Sequence, residues 1–262
     1  MSFQTINLTI ADQVGTITIN RPDNANALNR QMASELHEAS IQLTTDPNVR
    51  AILLTATGKM FCAGGDLQEM EDAGDGKETL LTRMASDLHG ALIRFAQANQ
   101  PLVIAVNGTA AGGGFSMALA GDVVIASDRA KFVSAYTASG LTPDGSSTYF
   151  LAKHVGLLRA KELLLTNRLL TASEAMDWGL VTKVVSPDDL MSEANKIAKD
   201  FAQGPTLAYG NLKRMLTTAY SDTMETQLDR ETRSIAGMMR TEDAPNGLSS
   251  FLKKETPTFK GR

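Results

Sequence analysis

Gly112-Gly113-Gly114 stands between the apolar run 102–106 and a small-residue segment, 115–120, while Phe61-Cys-Ala-Gly-Gly-Asp66 follows a second apolar run, 49–56. Glycines where a strand hands over to a helix leave backbone amides uncovered at the positive end of that helix, where they can grip an oxyanion or a phosphate. Taken alone, 61–66 reads as a turn with Asp66 as an N-cap. Two such junctions on neighbouring strands of one sheet would instead emerge at the same sheet edge, and one amide from each could hold a carbonyl oxygen that becomes negative during reaction. Gly140-Leu-Thr-Pro-Asp144-Gly adds one carboxylate in a turn, a group able to carry a proton beside that oxygen. Without the glycine junctions, Pro-Asp-Gly is only a good β-turn.

Several other chemistries are excluded or disfavoured. Gly112-x-Gly114 is followed by Phe115, Ser116 and Met117, so it lacks the third glycine of a dinucleotide fingerprint. Asn107, Ser116 and Asp122 interrupt the stretch as a membrane span. A formal charge of −4 with 5% aromatic residues offers neither a basic stripe nor stacking platforms, and no nucleic-acid partner is expected. One cysteine, Cys62, rules out an internal disulfide and a cysteine-based zinc site. His37, His89 and His154 fall on separate helical segments without metal-ligand spacing and read as surface or packing residues, so no metal is expected. The N-terminal residues show no secretory pattern, and a cytoplasmic, non-membrane protein is the expectation.

The elements that must position these groups follow from periodicity. Residues 5–10 and 14–19 alternate as an antiparallel hairpin, and 29–44 carries apolar residues at helical spacing. Residues 49–56 form a strand, 71–79 an acidic mobile loop, and 80–98 an amphipathic helix that ends before Pro101. Strands follow at 102–106, 122–127 and 131–134, which gives an α/β core with a mostly parallel sheet. From 147 onward the pattern changes to helices, 147–155, 157–165, 173–179, 188–203, 206–220 and 222–240, punctuated by Gly204-Pro205 and 244–247. The expected organisation is a core over 1–200 and a helical C-terminal region over 201–262.

Four ordered motifs then make the pattern specific: Arg21-Pro-x-x-x-Asn26-Ala27-Leu28, Phe61-Cys-Ala-Gly-Gly-Asp66, Asn107-Gly-x-Ala-x-Gly-Gly-Gly114 and Leu169-Leu-x-Ala-x-Glu-Ala-x-x-Trp-Gly-Leu180-Val. Together they resemble the crotonase, or enoyl-CoA hydratase/isomerase, superfamily over nearly the whole chain. The resemblance implies a spiral of ββα repeats, a helical trimerisation region, a homotrimer or dimer of trimers, and an acyl-CoA substrate whose coenzyme A is no separate cofactor. It assigns the oxyanion amides to Gly65 and Gly113. It also implies substrate contacts at Ala27, Ala63, Asp66, Leu67, Tyr136 and Leu141, with Lys253 or Lys260 of the basic tail meeting a phosphate.

The reaction depends on acids and bases that vary across the superfamily. Typical hydratases carry one glutamate three residues after the middle glycine and another about twenty residues later; those places here are Ser116 and Tyr136. Asp144 instead resembles the lone acid of the single-carboxylate enoyl-CoA isomerases, including the ring-epoxide isomerase of phenylacetate breakdown, and Phe132-Val-x-Ala and Thr226-Gln-Leu-Asp-x-Glu point the same way. Asp144 is therefore expected to carry a proton in an isomerisation, with Phe132, Tyr136 and Leu141 keeping water out. The alternatives are a hydratase of β-oxidation, a non-catalytic acyl-CoA-binding homologue, and a dehalogenase with the aspartate as nucleophile, although that relative has tryptophan where this chain has Tyr136.

Overall fold

The computed structural model describes residues 3–262 and contains two sheets. The chain starts with the antiparallel hairpin β1 (Ile6–Ala11) and β2 (Val14–Ile19), closed by Asp12 and Gln13 at φ of 50° and 64°. Positive φ at both turn residues matches the twist of the two strands. After α1 (Arg30–Thr45), capped by the Asn29 side chain on the Met32 amide, the chain alternates between the sheets. β3 (Ala51–Ala56), β5 (Leu102–Val106) and β7 (Val123–Ser127) enter the larger sheet; β4 (Met60–Cys62), β6 (Thr109–Ala111) and β8 (Lys131–Val133) enter the smaller one. This pairing of one long and one short strand per repeat, followed by helix, is the ββα spiral.

The larger sheet has the order β1-β2-β3-β5-β7 and ends with β10 (Lys183–Val185); the smaller has β4-β6-β8 and ends with β9 (Leu170–Thr171). All six residues of β3 are buried, because the sheet is covered on both faces. Ile52 and Leu54 face a core shared with Leu36 and Leu43 of α1 and with Leu88 and Phe95 of α3 (Lys77–Gln97). The alternate residues Ala51 and Leu53 face Leu190, Ala194 and Ala198 of α8 (Leu190–Ala202). Period-two burial thus turns one apolar run into two packed interfaces.

Three expectations are corrected. Residues 71–79 are not a loop: α2 (Leu67–Asp72), a 3-10 turn at Gly74–Gly76 and the start of α3 occupy them. Asp66 accepts from the Glu69 amide at 3.3 Å, and this cap nucleates a helix of good helix formers that the acidic composition hid. The part beyond 147 is not purely helical: after α5 (Ser147–Val155) and α6 (Leu157–Thr166), β9 extends the smaller sheet, and after α7 (Ala172–Asp177), β10 extends the larger one. Residues 244–247 do not punctuate the chain either; they lie inside α11 (Asp243–Lys253), where Pro245 occupies the first turn and forfeits no intrahelical bond.

The remaining helices are α9 (Thr206–Thr218) and α10 (Met224–Met238), and the expected boundary at 200 falls in the last turn of α8. The buried Arg50, just before β3, donates to the carbonyls of Gly204 and Phe259, which anchors the chain end to the start of the sheet. No helix among the described residues is long and apolar enough to cross a membrane.

Candidate active site

The two glycine junctions leave β4 and β6, which lie side by side and parallel in the smaller sheet. They do not follow the long strands β3 and β5 directly, as the sequence suggested; each long strand first hands over to its short partner. At the first junction Leu28 donates to the Gly64 carbonyl and accepts from the Asp66 amide, at 2.7 and 2.8 Å. That bridge uses the amides of Leu28 and Asp66 and leaves Gly65, between its two bonds, lining a cavity of about 400 Å³. At the second junction Gly113 opens α4 (Gly113–Leu119), so its amide belongs to the unpaired first turn of a helix. Among the described residues neither amide donates to a protein acceptor, and both glycines line the cavity.

Close approach explains the other glycines. A Cβ on Gly114 would sit 2.6 Å from Cys62 Cβ, and Gly112, at φ 49°, would bring one within 3.4 Å of Gly64 Cα. The smaller sheet packs these backbones too tightly for side chains, which brings both amides to one wall. Cys62 is fully buried there, and burial pushes its thiol up to about 11. It is a filler with no reactive thiolate.

Asp144 lines the same cavity, and it is the one carboxylate to do so among the described residues. Its Oδ1 lies 2.6 Å from His89 Nε2 of α3, while Oδ2 makes no hydrogen bond among the described residues. The turn is fixed from beneath through its backbone. Ser116 Oγ donates to the Asp144 carbonyl at 2.7 Å, Ser147 Oγ approaches it at 2.9 Å, and Tyr136 Oη lies 2.9 Å from Ser116 Oγ. Ser116 is wholly buried, and burial pushes the Tyr136 phenol well above its ordinary range. Both hydroxyls therefore keep their protons and serve as struts.

A chain with this arrangement matches the family model described as enoyl-CoA hydratase/isomerase over residues 9–262. It belongs to the enoyl-CoA hydratase/isomerase family. Its structure superposes on that of an enoyl-CoA hydratase from Bacillus anthracis with a TM-score of 0.91, at 33% identity, covering 99% of this chain and 100% of the other. Among curated proteins it is similar to the 1,2-epoxyphenylacetyl-CoA isomerase of Escherichia coli K12, 38% identical over 95% of each chain. It is also 36% identical to 4-chlorobenzoyl coenzyme A dehalogenase-2 of an Arthrobacter species, over 93% of this chain and 89% of the relative. The crotonase fold and hydratase/isomerase chemistry on acyl-CoA thioesters follow from that membership.

In this crotonase-family enzyme the cavity gathers Gly65, Gly113 and Asp144 with Ala63, Leu67, Tyr136 and Leu141. Other expected contacts lie elsewhere. The Ala27 carbonyl accepts from the Arg21 guanidinium, and Asp66 pairs with the same guanidinium at 3.0 Å while capping α2. Lys260 pairs with Glu242, and the segment carrying it packs beside Arg50 at the opposite end of β3 from the junctions. Lys253 is exposed in the last turn of α11, outside the cavity lining. Phe132 is buried against Phe115 and does not reach the cavity, and the Asp144 side chain is 39% exposed instead of sealed among apolar groups.

His89 is the residue that sequence reading missed. It directly follows Leu88 on the stripe Leu81-Ala85-Leu88 that walls the cavity, and a polar group on the border of such a stripe is the signal that marks it.

Proposed function

We propose that this family member is an acyl-CoA isomerase that moves a double bond, taking 3-enoyl-CoA to 2-enoyl-CoA or acting on a ring-epoxide acyl-CoA, with Asp144 as the proton carrier. The observation that supports this is the single carboxylate facing a cavity walled by two free amides. The free Asp144 Oδ2 takes a proton from C2, and the electron pair moves into a C1–C2 double bond. The thioester oxygen becomes negative as the Gly65 and Gly113 amides hold it. The dienolate then takes the proton back at C4, which leaves the double bond between C2 and C3 and returns Asp144 to its carboxylate form.

Hydration asks for a second group to hold and deprotonate water. Ser116 and Tyr136, at the places where hydratases carry glutamates, spend their hydroxyls on the Asp144 backbone. Conversion of 3-hexenoyl-CoA, compared with hydration of crotonyl-CoA, tests the reading. Asp144→Asn is expected to lower isomerisation by about 10²–10⁴-fold with acyl-CoA binding retained. Undiminished turnover in that variant overturns the assignment.

The His89–Asp144 contact favours one second reading, in which Asp144 attacks a haloaryl-CoA ring carbon, halide leaves, and water deprotonated by His89 hydrolyses the aryl ester. Halide release and a trapped covalent adduct would establish it. Exposed apolar side chains such as Leu158 on α6 and Phe251 on α11 support assembly as a trimer or dimer of trimers, which sedimentation would measure.

A further inference from the structure

Gly90 interrupts the interior of α3, where a glycine costs about 0.5–1 kcal/mol relative to alanine. Its bare Cα has a use: a Cβ there would lie 2.8 Å from His37 Nε2 of α1, so the two helices close on each other at this point. Both residues line a cavity of about 490 Å³, a size that holds small organic ligands, together with Thr45 at the end of α1, Arg94 and Asn99 near the end of α3, and Arg214 of α9. Gly90 and Arg94 fall on the side of α3 opposite Leu81, Ala85 and Leu88, so this cavity is separate from the one that holds Asp144.

The charge in it is unbalanced. Arg94 makes no hydrogen bond and no ion pair among the described residues, although its Nε is buried. A cation near a helix C-terminus is ordinarily held by the last carbonyls, but those around the end of α3 are already served. Lys213 Nζ donates to the carbonyls of Phe95 and Gln100 at 2.9 and 2.8 Å, and the Ala98 amide donates to that of Arg94. Arg214 spends only Nη1, on the Gln97 carbonyl and Asn99 Oδ1, both at 2.9 Å. By contrast, Arg230 and Arg233 of α10, across Arg214 from this cavity, are paired with Asp222 and Asp229. No carboxylate lines the cavity, and Asp87, 3.5 Å from His37 Nδ1, is itself paired with Arg30. Two guanidinium groups without an acid thus share one pocket in a chain of net charge −4.

We propose that this cavity binds a phosphate-bearing small molecule between Arg94 and Arg214, at a site independent of the thioester. The planar guanidinium fork matches paired phosphate oxygens, and two forks from separate helices neutralise a dianion where a monocarboxylate would engage one.

The test is calorimetric titration of the full chain with sodium pyrophosphate, set against sodium chloride of equal ionic strength, against sodium succinate, and repeated in saturating butyryl-CoA. One pyrophosphate per chain is expected, with unchanged affinity when butyryl-CoA is present. Arg94→Gln and Arg214→Gln are each expected to weaken it by about tenfold or more. Arg94→Gln breaks no hydrogen bond among the described residues, so it is expected to unfold at the same urea concentration as wild type and to bind butyryl-CoA within about twofold. No binding beyond the chloride control overturns the proposal, as does binding that survives either substitution. Displacement of pyrophosphate by butyryl-CoA would place it in the thioester site, and succinate binding as tightly as pyrophosphate would make the cavity a general anion site; each overturns the assignment.

Discussion

Ser116 Oγ donates to the backbone carbonyl of Asp144 across 2.7 Å, so the side chain three residues beyond Gly113 holds the acidic turn in place instead of reacting with substrate. The hydroxyl at position 116 and the placement of the Asp144 carboxylate are thus a single structural fact. Gly145 completes it, because its bare Cα lets the turn press against Ser116 and Leu88.

Restoring a carboxylate at 116 is therefore expected to damage the enzyme rather than convert it. Ser116→Glu places a larger, charged side chain in a fully buried site. It is expected to cost about 1–3 kcal/mol of stability from overpacking alone, to displace Asp144, and to yield no hydration of crotonyl-CoA. Urea unfolding and the loss of enoyl absorbance measure both. A stable variant that hydrates crotonyl-CoA would contradict the strut role.

Neighbouring glycines are expected to fail in different ways. A Cβ on Gly113 meets only Leu28 Cδ2 at 3.7 Å and Tyr136 Oη at 4.0 Å, so Gly113→Ala is expected to unfold within about 1 kcal/mol of wild type. Its methyl group faces the thioester position, and kcat/KM is expected to fall by about tenfold or more. Gly114→Ala drives a methyl into Cys62 and is expected to lose about 1–3 kcal/mol of stability. Thermal unfolding and steady-state kinetics on the pair separate the two effects.

Acid sensitivity is expected to trace in part to Glu35. Burial pushes this carboxyl up, but hydrogen bonds from the Thr5 hydroxyl, the Gln31 amide and the Gln4 and Thr5 backbone outweigh it and hold the group below its ordinary value. A carboxyl with a lowered folded-state value stabilises the fold above its unfolded value, about 4.3, and that stabilisation disappears as pH falls through the folded value. Glu35→Gln is expected to be less stable than wild type at neutral pH by on the order of 1–3 kcal/mol, with the gap closing below about pH 4. A gap that stays constant across that range would show that the charge is irrelevant.

Cys62 is expected to resist alkylation in the folded protein. Its thiol is buried and pushed up to about 11, so neither access nor thiolate is provided. Iodoacetamide labelling is expected to rise with urea in parallel with loss of helical circular dichroism; rapid labelling in buffer would place the residue at an open surface.

Much of this architecture was legible because it depends on local signals. The hairpin, α1 and β3 announced themselves through apolar alternation and helical spacing, and the glycine junctions through residues that only a close backbone approach demands. The short strands β4, β6, β9 and β10 were not legible, since two or three residues carry no period, and their pairing depends on partners distant along the chain, such as Phe132 with Leu170. α2 hid because its charge suggested a loop, while the Asp66 cap that starts it reads equally as a turn residue. His89 hid for a related reason: a histidine on an amphipathic helix says nothing of its partner, and Asp144 lies 55 residues further along the chain.

Both groups that the proposed reaction uses to steady its developing negative charge are N–H bonds of the main chain, at positions 65 and 113. No exchange of one side chain for another deletes an N–H, proline apart, so this half of the apparatus is shielded from ordinary point mutation as long as the backbone keeps its course. The proposed proton carrier, Asp144, sits on a separate turn, held by side chains that can change one at a time. Inheritance of the thioester grip and invention of new reactions on it are mechanically uncoupled in this fold, and a lineage can alter what it catalyses without first losing its hold on the substrate.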